Sequence, residues 1–148
     1  MKKSFGKIIE NNESGFTLVE ILIAVTILSI GLLAVATMQV SAITGNSVAS
    51  DLTEGTTLAS DKLESLLRMA GNNYNDPNLL DTTGDGDSGL DDTGSDADFS
   101  TVAGKYTIYW NIAIDSPKTY TKTVKVIATW SRGSSVKKVS IQHIISQT

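Results

Sequence analysis

A single carboxylate inside a hydrocarbon-like run constrains this chain more than any other feature. From Phe16 to Val40, 18 of 25 residues are Phe, Leu, Val, Ile, Ala or Met, and Glu20 is the only charged side chain among them. No proline interrupts the run, and Gly31 is its only strong helix weakener. As a helix, such a run spans about 37 Å at ~1.5 Å per residue, enough to cross a hydrocarbon core ~30 Å thick. A carboxylate at the centre of a spanning helix costs roughly 2.5–3.5 kcal/mol, and less near an end. Glu20 is near the start, so two readings are open: a place in the headgroup layer, or a partner. Residues 16 and 20 are four apart, on one face of a helix. An amino group freed on Phe16 would be the nearest partner, within one chain or between chains side by side.

The residues before the run carry Lys2, Lys3 and Lys7, with Glu10 and Glu13 nearer the junction at Gly15. In a secretory signal the apolar stretch precedes the cleavage site, and a small-residue pattern closes it. Here the polar part ends before the apolar run begins. A cut after Gly15 would therefore leave the run on the mature chain. The lysines favour the cytoplasmic side, which puts the C-terminal part outside after a single pass.

Gly15-Phe16-Thr17-Leu18-Val19-Glu20 resembles the prepilin motif of type IV pilins and of the pseudopilins of type II secretion. The continuation Ile21 to Leu33, with Met38-Gln39, is similar to the PilV-type minor pilins, and the likeness covers roughly residues 14–40. The resemblance implies cleavage after Gly15 by a membrane prepilin peptidase and N-methylation of Phe16. It implies that Glu20 neutralises the Phe16 amine of a neighbouring subunit during assembly. The partners it implies are other pilins or pseudopilins, met through the N-terminal helix, and an inner-membrane assembly platform. The implied location is the bacterial inner membrane, with the head outside the cytoplasm, and later a pilus or pseudopilus. Two departures from major pilins point to a minor subunit. The first proline is Pro77, so the helix lacks a mid-run proline, and the chain has no cysteine to close a C-terminal loop.

Beyond the run, Val48, Leu52, Ala59, Leu63, Leu66 and Ala70 recur at helical spacing and form an apolar stripe, with Lys62 and Glu64 on the solvated side. Gly45 and Gly55 mark places where the helix could bend, and Gly71-Asn72-Asn73 reads as its stop. Residues 72–104 then hold eight aspartates and no lysine or arginine. That charge calls for water or a cation. Asp81 to Asp92 can be read as a twelve-residue calcium loop with Asp81, Thr83, Asp85, the Asp87 carbonyl and Asp92 as ligands and Gly86 at the sharp turn. Thr83 and Asp92 depart from the usual acid and bidentate Glu. The alternative is a solvated loop.

From Lys105 the period changes to two. Strands are predicted over 105–115, 120–131 and 136–145, with Tyr106, Trp110 and Trp130 as core and His143 in an edge or core position. The expected fold is α+β: a long N-terminal helix, half membrane and half amphipathic, packed on a small antiparallel sheet of about three to four strands. The expected divisions are a leader over 1–15, a transmembrane or filament-core helix over 16–40, an amphipathic helix over 41–71, an acidic loop over 72–104 and the sheet over 105–148.

The single histidine, the absence of cysteine and the lack of a triad or phosphate-loop spacing argue against an enzyme. No cofactor is required. The net charge of −4 argues against bulk nucleic-acid binding. Residues 104–148 nevertheless carry Lys105, Lys118, Lys122, Lys125, Arg132, Lys137 and Lys138 against Asp115 alone. Edge lysines that block strand pairing, docking of an acidic loop on a neighbour's basic sheet, and DNA uptake are the three readings of that surplus.

Overall fold

The computed structural model describes residues 15–147. The leader expected over 1–15 therefore lies outside the described residues except for Gly15. The secondary structure runs α1 (Leu18–Asn72), two short 3-10 turns (Pro77–Leu79 and Gly86–Asp91), then β1 (Phe99–Ala103), β2 (Tyr106–Ile114), β3 (Thr121–Arg132) and β4 (Ser135–Ser146). The chain divides into two compact units after Gly45.

In the first unit α1 is helical from Leu18 and exposed along its whole length. By length and composition it can cross a membrane. Its hydroxyls are turned back onto the helix. Thr26 Oγ1 donates to the Leu22 carbonyl at 2.7 Å, Ser29 Oγ to that of Val25 at 2.7 Å, and Thr37 Oγ1 to that of Ala34 at 2.8 Å. A hydroxyl satisfied by its own backbone needs no water, which is what hydrocarbon demands of it.

The second unit is an α+β head. The four strands form one antiparallel sheet in the order β1-β2-β3-β4. One sheet face presents Ile108, Trp110 and Ile112 of β2 with Val124, Val126 and Ala128 of β3. Ala59, Leu63 and Leu66 of α1 pack against them, with Leu79 from the first 3-10 turn. Tyr106 and Trp130 extend the buried stripe, as the alternation predicts. The strand bounds agree with the predicted ones to within about a residue, the usual scatter at element ends.

Several expectations change. The fourth strand, β1, comes from the end of what reads as loop. Its five residues follow a run of aspartates that masks the pattern, and a tight reversal at Gly104 (φ 60°) returns the chain to Tyr106. Phe99 fixes that strand by stacking on Trp110, with ring centroids 5.3 Å apart. Gly55 does not break α1. It is buried, and a Cβ there would stand 3.2 Å from Trp130 Cζ3 and 3.3 Å from Tyr106 Cε1, so glycine is the residue that lets the helix approach the aromatics. Lys62 is not simply solvated: its ammonium stands 3.5 Å from the centroid of the Trp110 ring, and partial burial lowers its pKa. Val48 and Leu52, placed on the apolar stripe, remain 45% and 47% exposed. His143 is exposed on edge strand β4, so of its two expected positions the edge is the one it takes.

The acidic segment is a packed layer on the other sheet face. Leu90 and Gly89 in the second 3-10 turn are buried, as are Ala113 and Ile127. Asn111, also buried, pins this layer. Its amide nitrogen donates to the carbonyls of Leu90 (3.3 Å) and Asp92 (2.9 Å), and its oxygen accepts from the Asp98 amide (2.9 Å). The head is thus helix, sheet and loop in three layers, and the loop is neither bare nor wholly solvated.

Candidate processing and assembly segment

Gly15, Phe16 and Thr17 precede the first helical residue and are exposed. Nothing lies within 4 Å of the point where a Gly15 Cβ would stand. Phe16 is 81% exposed. Because α1 begins at Leu18, Phe16 is outside the helix, not on a shared helical face with Glu20 as the spacing alone suggests. In the uncleaved chain its nitrogen is a peptide amide.

The helix start has a local cause that the sequence reading missed. Thr17, Leu18, Val19 and Glu20 have the spacing Thr-x-x-Glu, the pattern of a helix N-terminus. The Glu20 amide donates to Thr17 Oγ1 at 3.3 Å and to the Thr17 carbonyl at 3.1 Å, and the Ile21 amide donates to the same carbonyl at 3.2 Å. Thr17 thereby occupies the capping position, and Glu20 falls in the first turn. There the helix dipole favours a negative charge, by typically 0.3–1 kcal/mol at an exposed site. The signal was present in four consecutive residues.

The acids of the head are placed one by one. Asp81 shapes its own turn: Oδ1 accepts from the Gly84 amide (2.6 Å) and Oδ2 from the Gly86 amide (3.0 Å), with Gly86 at φ 58°. Thr83 turns its hydroxyl towards Asp98 Oδ1 (3.2 Å) and Asp81 Oδ1 (3.4 Å). Asp85 lies against Gly89, where no Cβ would fit. Asp87 accepts from the Ser116 hydroxyl. The Asp92 carboxyl is raised in pKa by burial first, then by the charges of Asp85 and Asp96. A carboxylate that accepts one amide on each oxygen keeps lone pairs for a cation, so the turn itself is compatible with calcium at Asp81. Of the expected ligands, Thr83 meets Asp81, and Asp85 acts on Asp92 through a side-chain hydrogen bond. Among the described residues no group of three or more His, Cys, Asp or Glu side chains is placed to hold a metal ion.

Asp98, absent from the expected set, is the busiest of these acids. Its Oδ1 accepts from the Thr82 amide (2.7 Å) and the Thr83 amide (3.1 Å), and its Oδ2 from the Ile112 amide (2.8 Å). It satisfies a β2 amide beyond the last residue of the β1 pairing, which ends at Phe99↔Trp110.

The basic surplus is largely spent inside the head. Lys105 Nζ and Arg132 Nη1 reach the two oxygens of Asp51 at 2.5 and 2.8 Å. The hydrogen bond from Lys105 is the main reason the Asp51 pKa is lowered. Tyr106 Oη donates to the Asp51 carbonyl (2.9 Å) and lies 3.0 Å from Glu54 Oε2. Lys125 pairs with Asp91 at 2.8 Å and lowers its pKa. Lys122 is buried, 2% exposed, and donates to the carbonyls of Tyr74 (2.8 Å) and Leu79 (2.9 Å) beside the Tyr74 ring. Burial lowers its pKa. Lys118, Lys137 and Lys138 remain exposed.

No curated protein and no solved structure matches the chain. Residues 11–36 match the family model described as the prokaryotic N-terminal methylation motif, so the segment that carries Gly15, Phe16 and Glu20 is similar to a prepilin signal.

Proposed function

We propose that this chain is a minor type IV pilin, a structural subunit that waits in the inner membrane and is then built into a filament. The observation that carries the reading is the junction at residues 15–20: an exposed glycine and phenylalanine, a threonine cap, and one carboxylate in the first turn of a helix whose apolar part, as far as Val40, is exposed. Cleavage after Gly15 by a prepilin peptidase would turn the Phe16 amide into an amine, which is then N-methylated. That amine carries a positive charge at neutral pH. In a bundle of such helices, the Glu20 carboxylate of a neighbouring chain neutralises it, and the pair makes an otherwise costly carboxylate acceptable in an apolar core. The missing mid-helix proline and the missing cysteines favour a minor over a major subunit, and the run after Glu20 favours the PilV-type. The role is assembly, with pilus priming, adhesion or motility as its outlets. It is not that of an enzyme.

The same features suit a minor pseudopilin of a secretion system, and a membrane-anchored binding module is the rival from another class. A DNA-uptake version of that module is weakened by the basic residues: Lys105, Lys125 and Arg132 are paired with acids and Lys122 is buried, which leaves Lys118, Lys137 and Lys138 of the seven for phosphate. Shearing filaments from cells and probing them for this chain tests the reading. Its presence with co-purifying pilins is the expected result. Its absence from both sheared filaments and pilin co-precipitates would overturn assembly and leave the binding module.

A further inference from the structure

The turn between β2 and β3 holds an aromatic ring in water at a cost to the backbone. Tyr120 is 70% exposed, yet its φ is 66°, and Asp115 at the start of the same turn has φ 57°. A left-handed conformation is an outlier for a bulky residue and persists where its surroundings over-determine it. Here they do. The Tyr120 amide donates to Asp115 Oδ1 (2.9 Å), and the Gln147 amide donates to the Tyr120 carbonyl (2.9 Å). The Thr121 amide donates to the Lys118 carbonyl (3.1 Å), and Thr123 Oγ1 to that of Ser116 (2.9 Å). A tyrosine held out on a rigid turn has the character of an interface anchor, because little freedom is left for it to lose on docking.

The other end of the head carries a complement. A groove of about 590 Å³ lies between α1 and the β3–β4 hairpin, lined by Val48, Leu52, Trp130, Arg132 and Lys137 among others. Val48 and Leu52 are half-exposed on a stripe that elsewhere is buried. Arg132 is tied to Asp51, whereas Lys137 forms no ion pair among the described residues. Tyr120 and Trp130 are ten residues apart along β3, roughly 33 Å at strand rise, so a chain cannot fill its own groove.

We propose that the groove receives Tyr120 of a second copy of the chain, its ring on Val48 and Leu52, with the adjoining Asp115 paired to Lys137. The proposal rests on the assembly reading and names a head contact within it. Complementarity selects the occupant. The turn brings one ring and one exposed carboxylate, and the groove offers an apolar floor and a lysine without an acid. Within the head, α1 runs from the groove end to the turn end, where Lys122, near the start of β3, meets the Tyr74 carbonyl. Copies stacked in parallel therefore present turn to groove. A contact between two different surfaces is heterologous, and its repetition extends a row where a two-fold contact would stop at a pair.

The test uses the full-length chain in the cells that produce it, and the chain has no cysteine of its own. Thr119→Cys puts a thiol beside Tyr120, and Ser135→Cys puts one in the groove lining, both at exposed positions. Under mild oxidation the double variant is expected to give a ladder of disulfide-linked dimers, trimers and longer rows, and each single variant none. Tyr120→Gly in the double variant is expected to abolish the ladder with no fall in Tm, because glycine adopts a φ of 66° without strain. Lys137→Glu, at an exposed position, is expected to abolish it as well. A ladder that survives either change overturns the contact. So does a dimer from Thr119→Cys alone, which would mean two turns meeting about a two-fold axis. Cross-links to a different protein alone overturn the second copy in favour of another subunit. No cross-link in a chain that is recovered from sheared filaments removes this contact and leaves the assembly reading. A ladder from a chain that never enters filaments sinks the assembly reading and keeps the contact.

Discussion

Asp51 on α1 accepts a 2.8 Å hydrogen bond from Arg132 at the end of β3, while Lys105, just before β2, holds its other oxygen. One carboxylate thus ties the helix to two strands. Its pKa is lowered in the fold, so the network stabilises the head above the ordinary carboxylate pKa and loses that contribution as pH falls through the lowered value. Thermal unfolding is expected to show a falling Tm below about pH 4. Asp51→Asn should lower Tm at neutral pH and flatten that acid limb. An acid limb identical in the two proteins would remove Asp51 from the account.

The approach of α1 to the sheet at Gly55 predicts asymmetry among substitutions. Gly55→Val forces atoms into the Tyr106–Trp130 pair, and overpacking of this kind costs about 1–3 kcal/mol. A valine at Gly45, where nothing lies within 4 Å of a Cβ, should cost far less. Denaturant unfolding of the two variants measures the difference, and equal midpoints would refute the packing role.

Asn111 holds the acidic layer by three hydrogen bonds. Asn111→Leu leaves the Asp98 amide and two carbonyls without this partner, at about 1–3 kcal/mol for each group that stays buried. The expected result is faster hydrogen exchange and faster proteolysis over residues 81–98, with the helix–sheet core little changed. Uniform exchange across the head would mean that the layer is not held there.

Among the described residues no three acidic side chains are grouped to hold a metal, and Asp81 and Asp87 already have donors from the chain. Calorimetric titration with calcium up to about millimolar levels is expected to give no saturable heat and no rise in Tm. A saturable heat that Asp81→Asn abolishes would show that the carboxylates re-aim around an ion.

The junction predicts two separable failures. Gly15→Ala should leave the leader attached, so the mature mass would rise by that of the leader. Glu20→Ala should be cleaved as usual yet be missing from sheared filaments. Normal incorporation of Glu20→Ala would refute charge pairing and leave cleavage untouched. Thr17→Ala removes a cap worth about 1 kcal/mol and should raise exchange at the Glu20 amide.

The head's helix and three of its strands were legible because their apolar residues keep strict periods, as Ala59, Leu63 and Leu66 do on the helix and Val124, Val126 and Ala128 on β3. Period says which face is buried but not what makes the contact. Gly55 and Lys62 therefore read as a bend and a solvated charge, while aromatic partners about fifty to seventy-five residues away decide both. The acidic segment was misread for a related reason. Composition registers eight aspartates but not the amides and the lysine that satisfy them, because those partners come from turn geometry and from the sheet. At the junction the residues were all legible; the cap was missed because Thr17 was read only as part of a motif.

The inward-turned hydroxyls of Thr26, Ser29 and Thr37 have a mechanical corollary. Between Ile21 and Met38 a neighbouring helix would meet a surface with no unmet donor on its side chains. Sliding or turning along such a rod breaks no hydrogen bond, so its grip resembles a greased bearing more than a latch. In the proposed filament, axial register would then be fixed at the two ends of the run, by Glu20 on one side and by the head on the other.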